Sequence, residues 1–207
     1  MTRVKLCGLT DRTNLDAALA AGADAVGVIS GVDVATPREV TAGQAADLLA
    51  AVPPFVTGVL VTMADDPAVI RERIERCDPD AVQVHRLGPA GLAALADAPV
   101  DVLAVADHDA DDIHDRARAA DAIVVDSLDA DGAGGTGETH DWTATAALVG
   151  AIETPVVLAG GLTPENVGEA VATVDPYAVD VASGVESAPG EKAPEAMAAF
   201  VDAAGAA

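Results

Sequence analysis

Residues Ala122–Trp142 read AIVVDSLDADGAGGTGETHDW. The opening Ala122-Ile123-Val124-Val125 is short, apolar and rich in β-branched residues, which predicts a strand buried on both faces. The run stops at Asp126. A carboxylate at the tip of a buried strand is costly unless it is paired, hydrogen-bonded or used. A loop with glycines at 132, 134, 135 and 137 follows. Thr139-His140-Asp141-Trp142 then leads into an alanine-rich helical pattern. Strand, acid, glycine loop and helix make one βα unit with a candidate catalytic acid at its open end.

Outward from this unit, the same pattern repeats. Strand-like runs span Val4–Leu9, Ala25–Ser30, Thr57–Thr62, Ala81–His85, Asp101–Asp107, Ala122–Ser127, Pro155–Gly160 and Ala178–Ser183. Helix-like runs follow at Thr13–Ala21, Ala42–Ala51, Pro67–Arg76, Ala90–Ala96, Asp111–Ala119, Thr143–Ala151, Pro164–Ala172 and Pro194–Ala203. Gly22 marks a helix end, and Asp66-Pro67 and Thr163-Pro164 mark helix starts. Strict β/α alternation implies a parallel sheet, and eight repeats favour an α/β (β/α)8 TIM barrel over an open doubly wound sheet. No linker interrupts residues 1–207, so a single barrel domain is expected. The longest irregular stretches, about Gly31–Thr41 and Asp129–Asp141, both follow strands, where the active-site loops of a barrel belong.

The charge balance narrows the partners. The chain has 34 acidic against 11 basic residues, a net charge of −23. Nucleic-acid binding needs clustered Lys and Arg, so it is excluded as a working hypothesis, as is an anionic membrane surface. Such an excess of one sign repels itself unless salt screens it. With abundant Ala and only four aromatic residues (one Trp, one Tyr, two Phe), it resembles a protein adapted to a salty cytoplasm, the alternative being an ordinary acidic protein. No apolar run approaches the ~18 residues of a membrane span. Met1-Thr2-Arg3-Val4-Lys5 enters a strand without a signal-peptide core, and a cytoplasmic location is expected. Cys7 and Cys77 offer no disulfide or metal framework.

Strand one places Lys5 and Cys7 on one face, two residues apart. If that face is the barrel interior, Cys7 lies near the C-terminal rim and Lys5 one layer below. A nearby cation is expected to lower the thiol pKa and favour thiolate; the alternative is a small buried hydrophobe. An interior Lys5 needs a partner, for which Asp126 and Asp180 are candidates. Asp107-His108-Asp109 with Asp111, Asp112 and His114 has metal-ligand residue types, but reads more readily as an acidic surface. Gln83 and His85 face either the site or a structural hydrogen bond.

Several motifs in register resemble those of the phosphoribosylanthranilate isomerase family. Lys5-Leu6-Cys7-Gly8-Leu9-Thr10 is similar to the family's opening motif. Thr36-Pro37-Arg38 resembles its Ser-Pro-Arg, and Gln83-Val84-His85 its Gln-Leu-His. Val125-Asp126-Ser127, Gly134-Gly135-Thr136-Gly137 and Asp141-Trp142 match its sixth unit. Leu158–Val167 is close to its seventh, and Val181–Glu186 with Gly190-Glu191-Lys192 matches its eighth. Arg86, His140 and Ala193 depart from the family pattern, at positions that touch neither the expected acid nor the expected base.

The resemblance implies an Amadori rearrangement in tryptophan biosynthesis, with a phosphosugar–anthranilate as the small-molecule substrate. By that resemblance Cys7 is the general base, Asp126 the general acid and Arg38 the partner of the anthranilate carboxylate. Ring opening needs a proton on the ring oxygen, which a protonated Asp126 with raised pKa supplies. The resulting Schiff base acidifies the C2′ proton, which Cys7 thiolate removes. Both proton carriers come from the protein, so neither metal nor organic cofactor is expected. The phosphate is expected at Gly160, Gly161, Ser183 and Gly184, with a short helix N-terminus after Ser183. Gly135 is expected to contact the substrate, and Asp180 to lie in the site. The rival readings are another phosphate-binding barrel, such as indole-glycerol-phosphate synthase or ribulose-phosphate epimerase, and a barrel that binds a phosphosugar without turnover. The oligomeric state is left open.

Overall fold

The computed structural model describes residues 2–126 and 141–206. The glycine loop after Asp126, including Gly135, lies outside the described residues. Eight parallel strands close in sequence order: β1 (Arg3–Cys7), β2 (Ala25–Ile29), β3 (Thr57–Thr62), β4 (Ala81–Val84), β5 (Asp101–Ala106), β6 (Ala122–Val125), β7 (Val156–Leu158) and β8 (Ala178–Val181). Helices α1 (Arg12–Ala21), α2 (Ala42–Leu49), α3 (Pro67–Cys77), α4 (Pro89–Ala93), α5 (Ile113–Ala119), α6 (Trp142–Val149), α7 (Val167–Val174) and α8 (Pro194–Gly205) alternate with them. This is the (β/α)8 barrel expected from the alternation.

Strand parity divides the core in two. Val4 and Leu6 of β1, Val26 and Val28 of β2, and Ile123 and Val125 of β6 face outward and pack under the helices. The alternate residues face the barrel axis. There they form one cluster around Val105, Val124, Val157 and Ala178, and another around Cys7, Val59, Val61 and Ala81. Both faces are buried, which is why the strands read as continuous apolar runs.

Acidic residues also stitch the bottom of the barrel. Asp24, Asp80 and Asp121 each immediately precede an even-numbered strand. Their carboxylates accept from the N–H groups of Val4, Gly58 and Val102 on the preceding odd-numbered strand, at 2.8, 2.7 and 2.8 Å. These bonds satisfy backbone donors that the start of the sheet would otherwise leave open.

The helix signals hold at most positions. Gly22 caps α1 with φ 89°, and the Asp66 side chain accepts from Ala68 N–H at 2.8 Å ahead of Pro67. Helix α7 differs: it begins at Val167, after a turn over 163–166, instead of at Pro164. Asn166 explains the delay. Its Oδ1 accepts from Thr163 N–H and its Nδ2 donates to the Gly161 carbonyl, which fixes the turn before the helix starts.

The chain after β8 holds a feature the alternation did not predict. A 3-10 turn (Ser183–Val185) leads into an antiparallel hairpin of β9 (Glu186–Ala188) and β10 (Glu191–Lys192). The Pro189-Gly190 turn residues are its sequence signal, and Gly190 has φ 84°.

Candidate active site

A cavity of about 340 Å³ opens at the C-terminal end of the barrel. Cys7, Arg38, Asp126, Gly160, Gly161, Asp180, Ser183 and Gly184 all line it, so every expected site residue that is described meets in one place. Gln83 and His85 line it as well, with Gln83 Nε2 and His85 Nε2 3.4 Å apart.

Cys7 ends β1 and faces the axis. Across β2, its register partner is Gly27, and a Cβ built there would sit 2.6 Å from Cys7 Sγ and 3.2 Å from Lys5 Nζ. The absent side chain of Gly27 makes the space in which thiol and ammonium meet. Lys5 is paired in register with Asp180 across the β1–β8 seam, and its Nζ donates to Asp180 Oδ2 at 2.7 Å. Of the two expected partners for Lys5, Asp180 is therefore the one it binds. Burial opposes the Lys5 charge, but Asp180 and Cys7 outweigh it and hold the lysine above its ordinary value.

The thiol behaves differently from the sequence expectation. Burial pushes the Cys7 pKa up from its ordinary value of 9.0, and the Asp180 charge adds to the rise. Lys5 and Lys192 pull it down without overcoming the burial. The cation predicted to favour thiolate is present, but a largely buried sulfur loses more hydration than the lysines restore.

Asp126 follows the last residue of β6. Its backbone N–H donates to the Ala106 carbonyl at 3.3 Å, which carries the sheet one residue further and sets the carboxyl at the cavity wall. Arg38 reaches the cavity from the loop after β2. That loop is folded back on its strand: Glu39 Oε1 accepts from the N–H groups of Gly31 and Val32, and Val40 N–H donates to the Ile29 carbonyl. Apolar Ile29, Val32, Val34 and Met63 line the same cavity.

In the loop after β7, Gly160 and Gly161 have φ of 84° and 62°, conformations glycine adopts without strain. Among the described residues their N–H groups donate to no backbone carbonyl. A Cβ on Gly184 would lie 1.8 Å from the Leu162 carbonyl oxygen, so the loops after β7 and β8 touch through a glycine. The short helical turn expected after Ser183 is present as the 3-10 turn.

Two charged residues went unassigned in the sequence. Glu186 and Lys192, on β9 and β10, form a partly buried cluster with Arg38. Glu186 accepts from Arg38 Nε and Nη2, from Lys192 Nζ and from Gly190 N–H, at 2.8, 2.8, 2.7 and 3.0 Å. Burial works against its charge, yet these donors hold its pKa down at about 2. Elsewhere, ligand-type atoms of Asp107, His108 and Asp109 come within 4.8 Å of one another, outside the cavity lining. Asp111, Asp112 and His114 do not join them; Asp112 instead pairs with Arg116.

The family described as N-(5'-phosphoribosyl)anthranilate isomerase matches residues 4–203. The chain belongs to this family. Relatives named N-(5'-phosphoribosyl)anthranilate isomerase include one from Haloarcula marismortui, 59% identical over 206 residues, covering 97% of this chain and 95% of the relative. Another, from Natronomonas pharaonis, is 57% identical and covers 99% of both. The crystal structure of phosphoribosyl anthranilate isomerase from Thermotoga maritima superposes with a TM-score of 0.87 at 31% identity, covering all of both chains. A further phosphoribosyl anthranilate isomerase, crystallised with reduced 1-(o-carboxyphenylamino)-1-deoxyribulose 5-phosphate, gives a TM-score of 0.82 at 29% identity over all of both chains. Among the described residues, no helix is long and apolar enough to cross a membrane.

Proposed function

We propose that this chain is an isomerase that catalyses the Amadori rearrangement of N-(5-phosphoribosyl)anthranilate to 1-(2-carboxyphenylamino)-1-deoxyribulose 5-phosphate, a step of tryptophan biosynthesis. The observation that carries the reading is that Cys7 and Asp126, from the ends of β1 and β6, line one cavity together with Arg38 and the glycine turns after β7 and β8.

In this reading Asp126, as the carboxylic acid, donates a proton to the ribofuranose ring oxygen. The C1′–O bond breaks and the nitrogen lone pair forms the Schiff base. The cationic imine acidifies the C2′ proton, and Cys7 thiolate removes it. The enol-amine then tautomerises to the ketone. A thiolate with a raised pKa is scarcer but more basic, and Lys5 and Lys192 offset its charge as it forms. Buried Asp180 keeps Lys5 in place, with Oδ1 left without a hydrogen-bond partner among the described residues.

Arg38 binds the anthranilate carboxylate, and the apolar lining receives the ring. The N–H groups of Gly160, Gly161, Ser183 and Gly184 receive the phosphate. Gly135 belongs to the same substrate contact, although it lies outside the described residues. The protein acts as a single barrel domain in the cytoplasm on a small molecule.

The test is incubation of the purified chain in molar salt with freshly prepared N-(5-phosphoribosyl)anthranilate, followed by 13C NMR. Appearance of the C2 ketone carbon supports the reading. A folded protein that binds the substrate without converting it would instead make this a phosphosugar-binding barrel.

A further inference from the structure

Arg38 is assigned a substrate carboxylate, yet it already holds a protein carboxylate. The Nε–Nη2 edge of its guanidinium meets both oxygens of Glu186 at 2.8 Å, a two-point fork. Nη1 has no hydrogen-bond partner among the described residues, and Arg38 lines the cavity. The stem is held too, since a Cβ on Gly8 would lie 2.9 Å from Arg38 Cδ. Stem and head are thus fixed before any substrate arrives.

The other end of the clamp is the β9–β10 hairpin. Lys192 Nζ donates to Glu186 Oε1 and to the Ala182 carbonyl, both at 2.7 Å. A Cβ on Gly190 would lie 2.9 Å from Pro37 Cβ, so the hairpin turn rests on the loop that carries Arg38. The charge count matters as well. An isolated Arg38–Glu186 pair is neutral and offers an incoming carboxylate no net attraction. Lys192 restores one positive charge to the cluster, in a chain whose net charge is −23.

We propose that Glu186 is a positioning residue for Arg38, and that with Lys192 it makes the site select substrates bearing an aryl carboxylate. This rests on the function proposed above. An arginine clamped during folding has already lost the rotamer freedom that binding would otherwise cost, and it presents its remaining donor edge to the ligand.

The experiment compares wild type, Glu186→Gln, Arg38→Ala and the double variant on two substrates. One is N-(5-phosphoribosyl)anthranilate; the other is N-(5-phosphoribosyl)aniline, which lacks the carboxylate. Although Glu186→Gln leaves the cluster one charge more positive, loss of the fork is expected to dominate: KM for the anthranilate substrate rises about tenfold with kcat little changed, the aniline substrate is unaffected, and nothing is added in the Arg38→Ala background. Glu186→Asp, which keeps the charge but is one methylene too short for the fork, should give the same selective loss if Glu186→Gln does not fold. Equal losses on both substrates, an effect that persists without Arg38, or no effect at all would overturn the proposal. Wild type inert toward both substrates would overturn the isomerase reading itself, whereas an active wild type with unchanged selectivity in the variants overturns only the role of Glu186.

Discussion

Lys5 Nζ and Asp180 Oδ2 lie 2.7 Å apart on paired positions of β1 and β8, the seam that closes the barrel. Their side chains are 4% and 7% exposed. Removing one partner leaves the other charge buried and uncompensated. Lys5→Met is therefore expected to destabilise the fold by about 3–5 kcal/mol, while Lys5→Met with Asp180→Asn recovers a large part of that. Denaturant melts in molar salt check the pair. Equal costs in the single and double variants would contradict a coupled interaction.

The raised pKa of Cys7 sets the pH dependence. If thiolate is the base, kcat/KM rises with pH through and beyond the ordinary thiol range. Lys192→Met removes a cation that lowers the Cys7 pKa, so it should move that rise to higher pH. The linkage to stability has a definite sign. A thiol whose pKa is raised by folding contributes stability that is complete below its unfolded value, near 9.0, and is lost as pH climbs through the folded value. Cys7→Ala should accordingly lose less stability than wild type above about pH 9. A pH–rate profile that Lys192→Met leaves in place would remove the lysine from this role.

Gly27 is expected to be intolerant of any side chain. Its Cβ would strike Cys7 Sγ at 2.6 Å and approach the Cys7 backbone and Lys5 Nζ at 3.2 Å. Overpacking of this kind typically costs about 1–3 kcal/mol. Displacing the base by even 1 Å is expected to lower kcat about 100-fold. Steady-state kinetics and a thermal melt of Gly27→Ala separate the two effects; near-normal turnover would show that the sulfur is not held by this contact.

Much of this was legible in the sequence because it rests on local pattern. The strand runs announced themselves by β-branched residues between turn signals, and Cys7 and Lys5 shared a face by parity alone. What escaped depends on long-range approach. No local signal says that Glu186 reaches Arg38 148 positions away, or that Gly27 leaves room for a sulfur on the neighbouring strand. The hairpin after β8 was not read from the sequence either: Pro189-Gly190 is a signal for its turn, but nothing local signals its charge cluster. Lys5 was read correctly as a buried cation, but its effect on Cys7 was overestimated, because the depth of burial is not written in the spacing. The start of α7 was misplaced because Asn166 stabilises a competing turn through its side chain.

Salt should govern stability. With a net charge of −23, the folded chain repels itself, and mobile ions screen that repulsion over a Debye length of about 10 Å at 0.1 M and about 3 Å at 1 M. The melting temperature is expected to climb steadily from dilute buffer to molar salt, with activity following. Full stability at low ionic strength would contradict this account.

The central claim is that Cys7 and Asp126 are the two proton carriers of one isomerisation. Its most direct test is turnover of N-(5-phosphoribosyl)anthranilate in molar salt by wild type, Cys7→Ala and Asp126→Asn, each verified as folded. The account predicts an active wild type and a loss of about 100-fold or more in each variant, the range general acid–base groups contribute. Activity that survives either substitution would contradict the role given to that residue.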